Sequence, residues 1–195
     1  PCADEDYDPI PMLYRMERLG ITRSVASSYE SMRCDICEGN RRLIDAIAGH
    51  GKIMANIELD PWHVDLSCRE MDKYYSMPNV AGCEIELTHI PCPTGSENVR
   101  KLFKEIARRK KPVLFMPATA SDASIERELA LRFPSLQIIH AHGATPDWCR
   151  TVKDAKNLHV EYCYSRPSHH NLREAIDILG YKRVLFGSDQ TLLDP

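Results

Sequence analysis

No stretch of this sequence approaches the roughly 20 consecutive apolar residues that a membrane-spanning helix needs, and no basic segment followed by an apolar run opens it. A cytoplasmic location is therefore expected. Neither sign of charge predominates: 25 Lys and Arg face 28 Asp and Glu, a net charge of −3, and only "ARRKK" at 107–111 concentrates one sign. That short run fits a solvated helix end, so neither nucleic acid nor a membrane surface is an expected partner. No G-x-G-x-x-G follows any apolar run, which argues against a dinucleotide-binding sheet. The eight cysteines are scattered through a chain large enough to bury a core without disulfide staples, so reduced thiols are the simpler expectation.

What the sequence does contain is a regular alternation. Seven β-branched or apolar runs occur at 21–28, 51–59, 80–88, 111–118, 136–143, 157–165 and 182–189. Helical patterns separate them, at "PIPMLYRMERLG", "NRRLIDAIAGH", around 64–76, "SENVRKLFKEIARRK", "SIERELALRF", 146–155 and "HHNLREAIDILG". Repeating βα units of this length imply a parallel sheet with helical crossovers, either doubly wound or closed into a barrel. Seven strands preceded by a helix fit an α/β (β/α)8 TIM barrel whose first strand and last helix are not in the chain, a single domain over residues 1–195. A typical barrel takes about 250 residues, and this sequence starts without Met and stops just after a strand, so a fragment of a longer polypeptide is expected.

Barrel enzymes draw their chemistry from the C-terminal ends of strands. Here those ends are polar: Ser27 and Ser28, Glu58 with Asp60, Glu84 with Glu86 and Thr88, His140 with His142, Glu161, and Asp189. Strand alternation puts i and i+2 on one face, so His140 and His142 are expected to project together, as are Glu84 and Glu86. Several buried polar groups at strand ends need mutual satisfaction or a shared cation. The other reading of "HAH" is that one histidine faces the helices and bonds a backbone carbonyl. "RVLFGSDQ" adds a carboxylate, Asp189, with Gly187 allowing close backbone approach, although a turn-capping aspartate has the same look.

Taken in order, "LYRMERLGITRSVASS", "GKIMANIELDP", "VAGCEIEL", "KPVLFM", "ALRFPSLQIIHAHGA", "NLHVEYCYS" and "ILGYKRVLFGSD" resemble the amidohydrolase superfamily, in the branch that includes aminocarboxymuconate semialdehyde decarboxylase and related metal-dependent hydrolases. The resemblance implies a metal-dependent hydrolase or decarboxylase acting on a small, carboxylated molecule through a metal-activated water. It makes Asp189 and His142 the metal and proton-transfer residues, and a divalent metal the cofactor: Zn first, with Mn or Fe as alternatives. The sequence departs from the family pattern in two places. The H-x-H of the family's first strand would precede Pro1, and Met116 stands where a histidine ligand is expected, a poor donor for zinc. Glu84 is the candidate replacement ligand, the alternative being a pairing with an interior base. Loss of the ligand histidine also supports a second reading, a metal-free barrel acting as a ligand-binding or structural subunit.

Arg166, in the loop after the sixth visible run, has the chemistry to clamp a substrate carboxylate, and His140 and Glu86 are further substrate-binding candidates. His63, His89, His169 and His170 lie on the same rim. Cys34 and Cys37 have C-x-x-C spacing, which leaves a thiol-dependent role open, whereas Cys163 reads as a small buried apolar residue. A small-molecule substrate is the expected partner, with self-association into a homo-oligomer left open.

Overall fold

Apolar residues at every second position, interrupted by amphipathic helices, produce one curled layer of strands with helices packed on its outer face. A computed structural model describes residues 7–119, 122–163 and 169–189. Its strands are β1 (Ser24–Ala26), β2 (Ile53–Glu58), β3 (Val80–Glu86), β4 (Val113–Met116), β5 (Ile138–His140), β6 (Leu158–Tyr162) and β7 (Val184–Phe186). All neighbours pair in parallel, in the order β1-β2-β3-β4-β5-β6-β7. This is a (β/α) TIM barrel represented by seven consecutive strands. The helices are α1 (Ile10–Leu19), α2 (Tyr29–Arg33), α3 (Ile36–Ala46), α4 (Val64–Tyr74), α5 (Glu97–Arg109), α6 (Ala123–Arg132), α7 (Pro146–Thr151) and α8 (His169–Leu179). None of the described helices is long and apolar enough to cross a membrane.

All seven expected strands form, and so do the helices expected between them. The five-residue α2 was not expected; it begins where the Ser28 hydroxyl accepts from the Ser31 amide and ends against α3. Its few residues carry no helical apolar period, so only the cap could have announced it.

The two faces of the strands differ in kind. Ile53, Ala55 and Ile57 of β2, Val113 and Phe115 of β4, and Leu158 and Val160 of β6 point to the helices and are fully buried. Phe115 meets Phe103 of α5 edge to face, ring centroids 5.0 Å apart. Removing these residues from water supplies the main driving force for folding. The alternate residues, among them Met54, Asn56, Leu114, Met116, Ile139 and Glu161, face the barrel interior and are less completely covered.

Polar clamps close the end of the barrel away from the site. Asn157 donates to the carbonyls of Ala130, Phe133 and Leu136, and the Arg183 guanidinium donates to those of Leu158, Lys153 and Val152. Each satisfies backbone acceptors left by ending helices and strands. At the opposite end, Ser28, Asp35, Ser96 and Thr145 cap α2, α3, α5 and α7. Strand C-termini and helix N-termini therefore share one mouth.

Gly39, where α3 crosses α2, has no room for a side chain: an added methyl would fall on the Ser31 backbone, far inside van der Waals contact. Gly39→Ala should destabilise the fold by about 1–3 kcal/mol, read as a lower urea midpoint with an unchanged slope.

Candidate active site

The H-x-H segment splits between the two layers. His140, the last residue of β5, follows Ile138 onto the helix side. Its Nδ1 lies 2.7 Å from Glu126 Oε2, its Nε2 3.1 Å from the Gly143 carbonyl, and its ring packs on Trp148 at 4.5 Å between centroids. Trp148 Nε1 donates to the other Glu126 oxygen at 2.8 Å. This buried network pins α6 and α7 to the strand. It corrects the expectation that both histidines project together, and it places His140 away from any substrate in the interior.

His142 escapes the alternation because the ladder ends at His140. It takes a left-handed conformation, φ 67°, which turns the chain and aims the imidazole inward. Non-glycine residues rarely adopt this region, and functional sites are where they are most often held in it. The restraint is visible: Glu161 Oε2 accepts from the His142 amide at 3.0 Å, and the Gly143 amide donates to the Glu161 carbonyl at 2.7 Å. Gly187 leaves room opposite: a Cβ there would overlap the Glu161 carboxylate and displace it. Asp189 is also left-handed, φ 53°, two residues beyond that glycine.

These turns gather three donors from three strand ends. His142 Nδ1 is 3.9 Å from Asp189 Oδ2, and Cys163 Sγ is 4.0 Å from the same oxygen. Ligand atoms of His142, Cys163 and Asp189 all lie within 4.8 Å of one another. The hydrogen bond with Cys163 pushes the His142 pKa above its ordinary value against the effect of burial, and Asp189 and Glu161 add to the rise.

Glu84, on β3, faces the same space and hydrogen-bonds the Ser27 hydroxyl. Burial pushes its pKa up to about 7; the Ser27 bond and His142 oppose this, while Glu161 and Asp189 reinforce it. Glu161 is raised for the same first reason, burial. Glu58, at the end of β2, is raised well above the carboxylate range by burial and then by Glu84 and Asp60. One of its oxygens accepts from the Glu86 amide, and the other has no partner among the described residues.

The remaining candidates lie at the rim. Glu86 is buried, with its oxygens taken by Thr88 and His89, and His89 in turn meets Arg33 at 2.8 Å. Met116 pairs in register with Glu86 and contacts the Thr88 hydroxyl through sulfur at 3.4 Å. His63 is held by Asp60 at 2.6 Å. Cys34 is disulfide-bonded while Cys37 is a free thiol, so the C-x-x-C pair is not a dithiol site and the expectation of reduced thiols fails at Cys34. Arg166 and the side chains of His169 and His170 lie outside the described residues.

Sequence reasoning passed over two participants, Cys163 as a donor and Glu161 as the brace of His142. Alternation along "HVEYCYS" held the signal, since Glu161 and Cys163 are i and i+2 on the interior face.

The family model described as Amidohydrolase matches residues 6–195. This chain belongs to the amidohydrolase family. Its family and fold are those of an enzyme, a hydrolase or a carbon–carbon lyase. Among solved structures, the chain is similar to 5-carboxyvanillate decarboxylase from Sphingomonas paucimobilis, at 16% identity with a TM-score of 0.75, covering 94% of this chain and 72% of that one. It is also similar to 2,6-dihydroxybenzoate decarboxylase from Rhizobium, at 16% identity and a TM-score of 0.70, over 94% and 77% of the two chains. A third, 5-carboxyvanillate decarboxylase from Novosphingobium aromaticivorans complexed with manganese and 4-hydroxy-3-methoxy-5-nitrobenzoic acid, shares 14% identity at a TM-score of 0.70, over 92% and 69%. These likenesses establish the barrel. No curated protein matches the sequence.

Two outcomes separate brace from site in this amidohydrolase. His140→Ala strands the Glu126 carboxylate in a buried pocket and should cost about 2 kcal/mol or more, whereas His142→Asn, which keeps the left-handed turn, should change stability by less than about 1 kcal/mol; urea melts of both variants test this. Glu58 gives a pH signature. Its folded pKa lies above the ordinary 4.5, so its contribution to stability is fully present below that value and is lost as pH rises through the folded pKa. Glu58→Gln removes this titration, so in the metal-free protein the variant should gain stability on wild type as pH rises above about 5. Parallel curves would show that Glu58 is not held protonated.

Proposed function

We propose that this amidohydrolase hydrolyses or decarboxylates a small, carboxylated molecule with the aid of a divalent cation. The observation that carries the reading is the convergence of the His142 and Asp189 donor atoms, 3.9 Å apart, at the C-terminal mouth of the barrel. A nitrogen and a carboxylate oxygen at that spacing, in a pocket of desolvated carboxylates, fit a cation: its charge would offset the burial, and the lesser repulsion, that raise Glu84 and Glu161. Held there, the cation would lower the pKa of a bound water toward about 7 and polarise a substrate oxygen. Manganese in the Novosphingobium decarboxylase is consistent with such a cofactor, and zinc and iron suit the same donors.

The residues of the chain divide the remaining work. Asp189 and His142 hold the cation and face the reacting group. Glu84, expected from the sequence as a ligand, is better suited to proton transfer, because its carboxyl lies outside the converging donors and has a pKa of about 7. At neutral pH it exists in both forms, the condition under which one group takes and returns a proton efficiently. In hydrolysis it would take a proton from the attacking water and give one to the leaving group; in decarboxylation it would give the carbon the proton that replaces carbon dioxide. Ser27 holds its carboxyl in place. Arg166 is assigned the substrate carboxylate on its chemistry. Glu86 positions His89 at the rim.

One observation favours the metal-free ligand-binding barrel: Met116 puts a thioether where the family has a ligand histidine.

Elemental analysis of protein purified without chelator decides between the two. A near-stoichiometric divalent metal is expected, with turnover in a screen of small aromatic carboxylic acids, lactones and amides that is lost on chelation and restored by metal. Asp189→Asn should lower that turnover by about 100-fold or more. Absence of metal after reconstitution, with ligands bound but not converted, would establish the ligand-binding reading instead.

A further inference from the structure

Resting on the metal-dependent reading above, we infer that Cys163 is itself a ligand, so that the cation is held by a mixed imidazole, thiolate and carboxylate set from β5, β6 and β7 and is zinc rather than manganese.

Three observations converge. The Cys163 sulfur lies 4.0 Å from Asp189 Oδ2, about as close as His142 Nδ1 at 3.9 Å, so the three donors converge within 4.8 Å of one another. Around tetrahedral zinc, with bonds of about 2.0–2.3 Å, neighbouring donors stand roughly 3.3–3.6 Å apart. The two spacings to Asp189 need a contraction of only a few tenths of an ångström, and side-chain rotation brings together three donors that already lie within 4.8 Å of one another. Cys163 also shares the interior face of its strand end with Glu161, whose carboxylate braces His142 from behind. Finally, β4 offers no nitrogen, since Met116 occupies its end, and among the described residues the donors that converge lie on the β5 to β7 side of the mouth.

Softness then selects the ion. Thiolate binds zinc and cobalt well, whereas manganese prefers oxygen and ranks lowest among the divalent first-row metals. An imidazole, thiolate and carboxylate set with a position left for water or substrate is the pattern of catalytic rather than structural zinc. On loading, the cation replaces the Cys163 thiol proton, which passes to solvent; no electron is transferred.

The experiment is a titration of the purified full chain, stripped of metal, with cobalt(II). Bound cobalt should show a thiolate-to-cobalt charge-transfer band in the near ultraviolet that saturates at one equivalent and is abolished by zinc but not by excess manganese. Cys163→Ser should bind cobalt without that band and should weaken zinc binding by at least about 100-fold, the upper end of what loss of a mere supporting contact costs. X-ray absorption of the zinc-loaded wild type needs no variant and should find one sulfur at about 2.3 Å. Cobalt bound with no charge-transfer band, a band that survives Cys163→Ser, or zinc without sulfur would overturn Cys163 as a ligand and leave the metal-dependent reading standing. No cobalt or zinc bound at all would overturn both.

Discussion

The mouth of this barrel is organised by the Glu161 carboxylate lodged against Gly187. The contact is possible only because residue 187 has no side chain, and it fixes three strand ends at once. Glu161 accepts the His142 amide, its carbonyl takes the Gly143 amide, and the Gly187 amide bonds the neighbouring Tyr162 carbonyl. Only with those bonds in place are left-handed turns at both His142 and Asp189 sustainable, since each costs on the order of 1–3 kcal/mol in isolation. The strain is offset a few ångströms away, by the Glu126, His140 and Trp148 network that anchors the same strand end to the helices. His140 thus holds the segment from outside while His142 faces the interior.

The electrostatics follow from that geometry. Glu58, Glu84, Glu86, Glu161 and Asp189 all stand at strand ends around the same mouth, and three of them are raised by burial. Carboxylates crowded in a poorly solvated space must either keep protons or acquire a positive partner. Both solutions serve catalysis: retained protons give an acid near neutral pH, and a cation gives an electrophile. The apolar row facing the helices supplies the stability against which this polar interior can be maintained.

The strands, most of the helices and the importance of the strand C-terminal ends were legible in the sequence because they rest on periodicity, which survives folding intact. What was not legible depended on single departures from it. A left-handed φ at His142 reverses the face that alternation assigns, so periodicity alone could not decide between the two readings of "HAH", of which the one that turns a histidine to the helices and a backbone carbonyl holds for His140. Cys163 illustrates the opposite failure: alternation did place it beside Glu161, but burial of a cysteine has the same appearance whether the thiol packs or ligates. The α2 helix was hidden by its brevity, and the disulfide at Cys34 by the fact that spacing alone carries no pairing information.

The separation of the two strand faces also explains how this chain can keep the barrel of decarboxylases with which it shares only 16% identity. Packing against the helices asks for apolar residues of suitable volume at alternate positions, a demand many sequences meet. The interior row is under no such demand, so a histidine there can become Met116 without loss of the fold. A replacement donor is useful only where backbone turns already aim side chains at a common point. In this chain that point lies between β5, β6 and β7, where Glu161 and Gly187 hold the turns, and a thiol at position 163 falls within reach of it.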